Sequence, residues 1–263
     1  MTMDLGLRDR QVMVTGASEG IGRSIAEAFA GEGARLVLVA RGRGKLEQLA
    51  DTLRDRYGTS IEVAPEDLSD DNAAPRLANT FPDVDVLVNN AGAIPGGALE
   101  QVSQETWRRA WDLKVFGYVA MMREFYTRMI ERQRGVIVNV IGASATGLDP
   151  SYAAGSTGNA ALEALTRTLG SKGPDHGVRV VGVSPGMVLT SRLETLLRGR
   201  ARERFGDEAR WAELGAHAAF RRPAEVEEIS ASVVFLASPR SSYTSGAVLE
   251  IDGGFSRRHN WWG

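Results

Sequence analysis

The run Thr15-Gly16-Ala17-Ser18-Glu19-Gly20-Ile21-Gly22 constrains this chain more than any other feature. An apolar run, Val12-Met13-Val14, leads into it, and a helical pattern carrying Ile25, Ala26, Ala28 and Phe29 leads out. That order predicts a strand, a tight glycine turn and a helix start. Glycine allows positive φ and lets the backbone approach a ligand closely. The free N–H groups of a helix N-terminus, reinforced by the helix dipole, then suit an anion, and the pyrophosphate of a dinucleotide is the natural occupant. Gly16, Ser18, Gly20, Ile21 and Gly22 are therefore candidate cofactor contacts. The same letters, Gly16-Ala17-Ser18-Glu19-Gly20, also spell the G-x-S-x-G turn that carries a hydrolase nucleophile. That turn normally follows several strands of its sheet, whereas this one follows the first, so the dinucleotide reading is preferred.

Short apolar runs alternate with helical patterns from end to end, the mark of a parallel sheet covered on both faces. Strands are expected at Gln11–Val14, Arg35–Val39, Ile61–Ala64, Val84–Asn89, Gly135–Val140, Arg179–Ser184 and Val248–Asp252, with helices near 21–32, 43–56, 70–79, 103–132, 154–171 and 224–237. Right-handed crossovers make this one α/β domain over 1–263, a doubly wound, Rossmann-like parallel sheet of seven strands with helices on both faces. The segment 187–220 is charged, Arg-rich and too long for an ordinary connection. With Leu193, Leu196 and Leu197 as its apolar stripe, it predicts a helical lid over a site.

Composition narrows the function. A net charge of −2 leaves no footprint for nucleic acid. The apolar runs are strand-sized and no secretory leader opens the chain, so a cytoplasmic protein without a membrane partner is expected. There is no cysteine, and the three histidines, His176, His217 and His259, are widely spaced. Disulfides and thiol nucleophiles are excluded, and no metal site is expected.

Cofactor features continue along the strand ends. Ala40 and Arg41 follow the second strand, where enzymes preferring NAD place an acid for the ribose 2′-hydroxyl; an adjacent Arg41 favours a 2′-phosphate instead. Glu19 argues mildly the other way, because a carboxylate in the turn repels that phosphate. NADP is the expected cofactor, with NAD possible. Asp67-Leu68 follows the third strand, Asn89-Asn90-Ala91-Gly92 ends the fourth, and Pro185-Gly186-Met187-Val188-Leu189-Thr190 follows the sixth. Together with Tyr243-Thr244-Ser245-Gly246 and Asp252-Gly253-Gly254, these motifs resemble the short-chain dehydrogenase/reductase family, in the right order over nearly the whole chain. The resemblance implies cofactor contacts at Asp67, Leu68, Asn90, Ala91, Gly92, Pro185, Gly186 and Val188. It also implies a homodimer or homotetramer in which the helices at 103–132 and 154–171 pair across two-fold axes, since they carry more apolar positions than one sheet face covers. The Trp261-Trp262 tail is a further candidate for a subunit contact.

The same resemblance implies a catalytic Asn, Ser and Tyr-x-x-x-Lys: Tyr as general acid, Lys to lower its pKa and hold the nicotinamide ribose, Ser to orient the substrate oxygen, Asn to anchor a proton relay. Here Lys114 stands at the Asn position of Trp111-Asp112-Leu113-Lys114-Val115-Phe116-Gly117, and Gly142 at the Ser position after Val138-Asn139-Val140-Ile141. The family's Ser-to-Tyr-to-Lys spacing, started from Gly142, lands on Gly155 and Asn159, with Tyr152 one turn ahead. Using Tyr152 as that tyrosine shifts the following helix by three residues, turning its face by about 60°. Lys114 is informative without any family, because it lies inside the apolar stripe Trp107, Trp111, Tyr118, Met121, Phe125 at helical spacing. Burial of an ammonium lowers its pKa and suits it to act as a base or amine nucleophile; otherwise its stem packs inward and its head pairs or snorkels. Gly142 and Gly155 remove side chains from the cleft, so Lys114 is expected to reach Tyr152, Asn159 or a water over the nicotinamide, desolvated by Trp111 and Tyr118. Ser144 is a candidate for the lost hydroxyl, and Asn159 for a ribose contact without charge.

Three classes of function stay open on a small-molecule substrate. The first is an NADP-dependent carbonyl or imine reductase in which Lys114, alone or with Tyr152, delivers the proton. The second is a non-redox lyase or isomerase using Lys114 as base or nucleophile. The third is a catalytically inactive nucleotide-binding protein.

Overall fold

The computed structural model describes residues 4–257; His259 and the Trp261-Trp262 tail lie outside the described residues. Seven parallel strands form one sheet: β1 (Gln11–Thr15), β2 (Arg35–Ala40), β3 (Ile61–Pro65), β4 (Val86–Asn89), β5 (Gly135–Val140), β6 (Val178–Pro185) and β7 (Val248–Ile251). Their order across the sheet is β3-β2-β1-β4-β5-β6-β7. The order turns back between β1 and β4, so the crevice between their carboxyl ends, at Thr15 and Asn89, is the topological switch point where ligands of such sheets bind. The strands nearest that crevice are buried on both faces, which explains their unbroken apolar runs.

Helices α1 (Gly20–Gly31), α2 (Arg43–Tyr57) and, later in the chain, Val226–Ala237 cover one face through Ile25, Phe29, Leu46, Leu53, Ile229 and Val233. The other face is covered by α3 (Ala73–Thr80), by a long helix made of α4 (Gln104–Trp111) and α5 (Gly117–Glu131), and by residues of the helix Ala153–Lys172, through Leu77, Tyr118, Met121, Phe125 and Leu162. Between β5 and that last helix a single turn, α6 (Ser144–Gly147), intervenes, so Ala153–Lys172 is α7. Below the crevice, Asn89 Nδ2 donates to Asn139 Oδ1 at 2.9 Å, and Asn139 Nδ2 donates to Thr166 Oγ1 at 2.9 Å, pinning β4, β5 and α7 together. No described helix is long and apolar enough to cross a membrane.

Several expectations need correction. The long helix expected at 103–132 carries one wide π turn, Asp112–Phe116, centred on Lys114. The helix expected from 70 begins at Ala73, because the carboxylates of Asp67 and Asp70 take the N–H groups of Ser69 and Asn72 into local turns. Segment 187–220 is helical as expected: α8 (Ser191–Phe205), capped by Thr190 Oγ1, is followed by α9 (Trp211–Gly215), making Val226–Ala237 α10. Its apolar stripe differs. Leu197 and Ala201 are buried one turn apart while Leu196 is half exposed, since a single residue step turns the helix by about 100°.

Candidate functional site

The site is built around the end of β1. Gly16 turns with φ +66°, and a Cβ on Gly22 would stand 2.2 Å from the Gly16 carbonyl oxygen and 2.4 Å from Asn90 Nδ2. Only glycine lets α1 begin so close to the turn. Thr15 Oγ1 accepts from the N–H groups of Asn90 and Ala91 at 2.9 and 3.1 Å, and Asn90 Nδ2 donates to the Thr15 carbonyl at 3.0 Å. The loops after β1 and β4 are thereby stitched into one rim. No side chain caps α1, and its first turn holds no acid, so its leading N–H groups are left for an anion. Ser18 and Ile21 lie on this turn, half-buried.

The other expected cofactor residues flank the same crevice. Arg41 is exposed after β2 and has no partner among the described residues. The Glu19 carboxylate, expected to disfavour a nearby phosphate, is paired with Lys45 Nζ at 2.9 Å, which offsets its charge. Lys45 was missed from the sequence; its signal is a position two residues into α2, facing the glycine turn. Asp67 Oδ1 is taken by Ser69, and Leu68 is buried with its carbonyl against the Gly117 backbone. Pro185 accepts from Ala143 N, Gly186 packs on Asp252, and Val188 is bridged to Ala224, so the segment after β6 is held on both sides. Thr190, which caps α8, stands 3.4 Å from where a Cβ on Gly20 would lie. These residues fit a dinucleotide: a glycine cradle, free helix-terminal donors, and an exposed, unpaired cation after β2.

Lys114 is buried, 8% exposed, and its contacts differ from expectation. Its Nζ donates to the carbonyls of Val140 and Ile141 at 2.9 and 3.1 Å and to the Tyr118 hydroxyl at 3.2 Å. Tyr118 donates in turn to Val140 at 2.8 Å. No hydrogen bond joins Lys114 to Tyr152 or Asn159 among the described residues. The room for its stem is made by Gly92, where a Cβ would lie 2.2 Å from Lys114 Cδ, and not by Gly142 and Gly155. Trp111, expected to desolvate the amine, instead donates to the Ala154 carbonyl at 3.0 Å and packs on Gly158. Burial, with a lesser contribution from the Arg192 charge, pulls the Lys114 pKa down to about 7.

The places beside Gly142 and Gly155 are filled by neighbours. A Cβ on Gly155 would fall 1.9 Å from Tyr152 Cε1, so the Tyr152 ring lies in the space where a side chain at 155 begins. Its hydroxyl has no protein partner among the described residues. Burial raises the Tyr152 pKa and Arg192 opposes the rise. A Cβ on Gly142 would fall 2.7 Å from Asn159 Nδ2, which donates to Ser144 Oγ at 2.9 Å. Asn159 Oδ1 is buried without a partner, the mark of a group awaiting a ligand or water. Ser144, Asn159 and Tyr152 thus gather at one end of α7, with Lys114 anchored behind them on β5. Arg192, on α8, was missed from the sequence, where it is one arginine among many in 187–220.

The family model described as enoyl-(acyl carrier protein) reductase matches residues 16–256. The chain belongs to the short-chain dehydrogenase/reductase family of oxidoreductases. Among similar members, galactitol 2-dehydrogenase (L-tagatose-forming) of Cereibacter sphaeroides is 34% identical, over 92% of this chain and 93% of its own. The structure of L-sorbose reductase from Gluconobacter frateurii, complexed with NADPH and L-sorbose, superposes with a TM-score of 0.91 at 28% identity, covering 98% of this chain and 100% of that one. NAD+-bound xylitol dehydrogenase superposes with a TM-score of 0.86 at 25% identity, covering 95% and 100%. The short-chain dehydrogenase/reductase fold therefore holds over nearly the whole chain. Among the described residues, no group of three or more His, Asp or Glu side chains is placed to hold a metal ion.

The titration of Lys114 is open to measurement. Because the buried amine holds its proton less tightly than in the unfolded chain, the unfolded state binds more protons between about pH 7 and the ordinary lysine value of 10.5. The contribution of this group to stability is therefore poorest below pH 7 and rises across that window. Lys114→Met keeps the stem but removes the titration. The unfolding free energy of the native protein, minus that of the variant, is expected to rise from pH 7 to pH 10 in urea denaturation. A difference independent of pH would contradict this description of Lys114.

Proposed function

We propose that the protein is an NADP(H)-dependent reductase of a carbonyl or imine group, with Tyr152 holding the proton that is delivered and Lys114 positioning the strand end behind it. The observation that carries this reading is the Tyr152 ring, lying in the space beside Gly155 with an unpartnered hydroxyl. NADPH, when bound, supplies the hydride. The first-turn N–H groups of α1 would hold its pyrophosphate, Asn159 Oδ1 a ribose hydroxyl, and Arg41 with Lys45 a 2′-phosphate. Ser144, whose oxygen already accepts from Asn159, still has its own proton to orient the substrate oxygen. The raised Tyr152 pKa keeps its phenol protonated through neutral pH, which suits reduction, the direction that consumes a proton. NADPH in the L-sorbose reductase complex supports the phosphate-bearing cofactor, while NAD+ in xylitol dehydrogenase marks the alternative.

The lyase or isomerase reading needs a Lys114 amine free to attack a carbonyl, and an Nζ enclosed by three oxygen partners gives it no support. Assembly in pairs is supported by Phe116 and Val119, which are 56% and 39% exposed on the outer side of the long helix that is expected to pair. Light scattering at micromolar concentration is expected to give a dimer or tetramer, and a monomer would count against it.

Two measurements test the mechanism. Arg41→Ala is expected to weaken NADPH binding by about tenfold or more, the scale of a charge-assisted hydrogen bond, and to leave NADH nearly unchanged; equal losses for both would show that Arg41 does not read the phosphate. Tyr152→Phe is expected to lower kcat for NADPH oxidation over a carbonyl panel by about 10²–10⁴, with NADPH affinity retained. A Phe variant with full turnover would remove Tyr152 from the chemistry. Native protein that binds NADPH and never consumes it would leave the inactive nucleotide-binding reading.

A further inference from the structure

Helix α8 carries five arginines, Arg192, Arg198, Arg200, Arg202 and Arg204, and two of them are spent on acids of the same segment. Arg198 pairs with Glu194 at 2.6 Å, Arg202 pairs with Glu208, and Arg210, just beyond the helix, pairs with Glu213 at 2.7 Å. Arg192, one residue into α8, turns to the body of the protein instead. Its Nη2 donates at 2.9 Å to the carbonyl of Ile94, two residues beyond the Asn90–Gly92 rim of the crevice. No carboxylate pairs with it among the described residues. A guanidinium carries five N–H donors, so most of those on Arg192 remain unused.

The bond to Ile94 reaches the site, because Ile94 lies in one small apolar cluster with Tyr152, and the Arg192 charge opposes the rise of the Tyr152 pKa. The crevice thus joins a free phenol to a lid cation that has no counter-charge. A site handling a neutral polyol or ketose gains nothing from an unpaired guanidinium at its mouth, whereas an anionic substrate supplies the missing partner in a geometry that arginine fits well.

We propose that Arg192 is the specificity-determining residue for a substrate bearing a carboxylate or phosphate beside its reducible group, and that it binds that anion from the lid. This rests on the reductase reading and names its substrate class. The anion would replace the water around the guanidinium, draw α8 down over Ile94, and hold the carbonyl against Tyr152. The one rival source of negative charge in the crevice is the cofactor pyrophosphate, which the test separates.

The experiment uses the full-length protein saturated with NADP+, titrated calorimetrically with pyruvate, acetoacetate and levulinate and with the methyl ester of each. Binding to this complex requires no hydride transfer, so a failed inference and a failed reductase reading give different results. At least one acid is expected to bind about tenfold more tightly than its ester, the scale of one charge-assisted hydrogen bond. Arg192→Met should remove that preference while leaving ester binding and the NADP+ affinity within about twofold, and Arg192→Lys should restore part of it. Acids and esters binding alike, or none binding, would overturn the proposal. A loss of NADP+ affinity in Arg192→Met equal to the loss for the acids would assign Arg192 to the pyrophosphate and overturn it as well. Acid preference without any NADPH consumption would keep the anion site and sink the reductase reading.

Discussion

The Thr15 hydroxyl is the contact on which the site depends. It accepts from two successive N–H groups of the loop after β4 while donating to the Val88 carbonyl, and Asn90 returns a bond from its side chain to the Thr15 backbone. A polar group buried at the end of two central strands is costly unless every atom is satisfied. Here satisfaction also fixes the distance between the two loops that line the crevice. The glycine turn can then be tight, because Asn90 fills the space that a side chain at Gly22 would take. The helix N-terminus is delivered to the crevice as a rigid donor set, and the sheet contributes nothing more than its switch point.

A second theme is exchange of volume between neighbouring residues. Lys114 fits only because position 92 is glycine; the Tyr152 ring fits only because position 155 is glycine; the Asn159 amide meets the backbone because position 142 is glycine. In each pair a side chain from a different element enters the space left beside the glycine. Lys114, Tyr152 and Asn159 are held in place by these close contacts. Lys114 illustrates the result. Its amine is not a free reagent but a clasp, tying the π turn to the last carbonyls of β5, with Tyr118 as a second clasp on the same oxygen.

Much of this was legible in the sequence. Seven apolar runs gave seven parallel strands within a residue or two of their bounds, most tightly constrained at the centre, where strands buried on both faces have little freedom to be anything else. The glycine turn, the rim residues and the helices of 187–220 followed from local chemistry. What escaped was anything settled by direction and not by spacing. Helical periodicity placed Lys114 inward but could not say that it would turn to β5 and away from Tyr152. Counting along the chain aligned Gly155 with a lost tyrosine, yet the ring of Tyr152 enters that space from one turn ahead. Glu19 read as a repelling charge because Lys45, distant in sequence, is what neutralises it. Arg192 was indistinguishable from the other arginines of α8 until its bond to the Ile94 carbonyl was placed.

The central claim is that Tyr152, held beside Gly155, is the group that faces the reacting end of the cofactor. A crystal structure of the NADPH complex tests it most directly. The account predicts pyrophosphate on the first turn of α1, Lys114 still bonded to Val140 and Ile141, and the Tyr152 hydroxyl as the nearest titratable group to the nicotinamide C4. A nicotinamide facing Lys114, freed from those carbonyls, with the Tyr152 ring turned away, would contradict it.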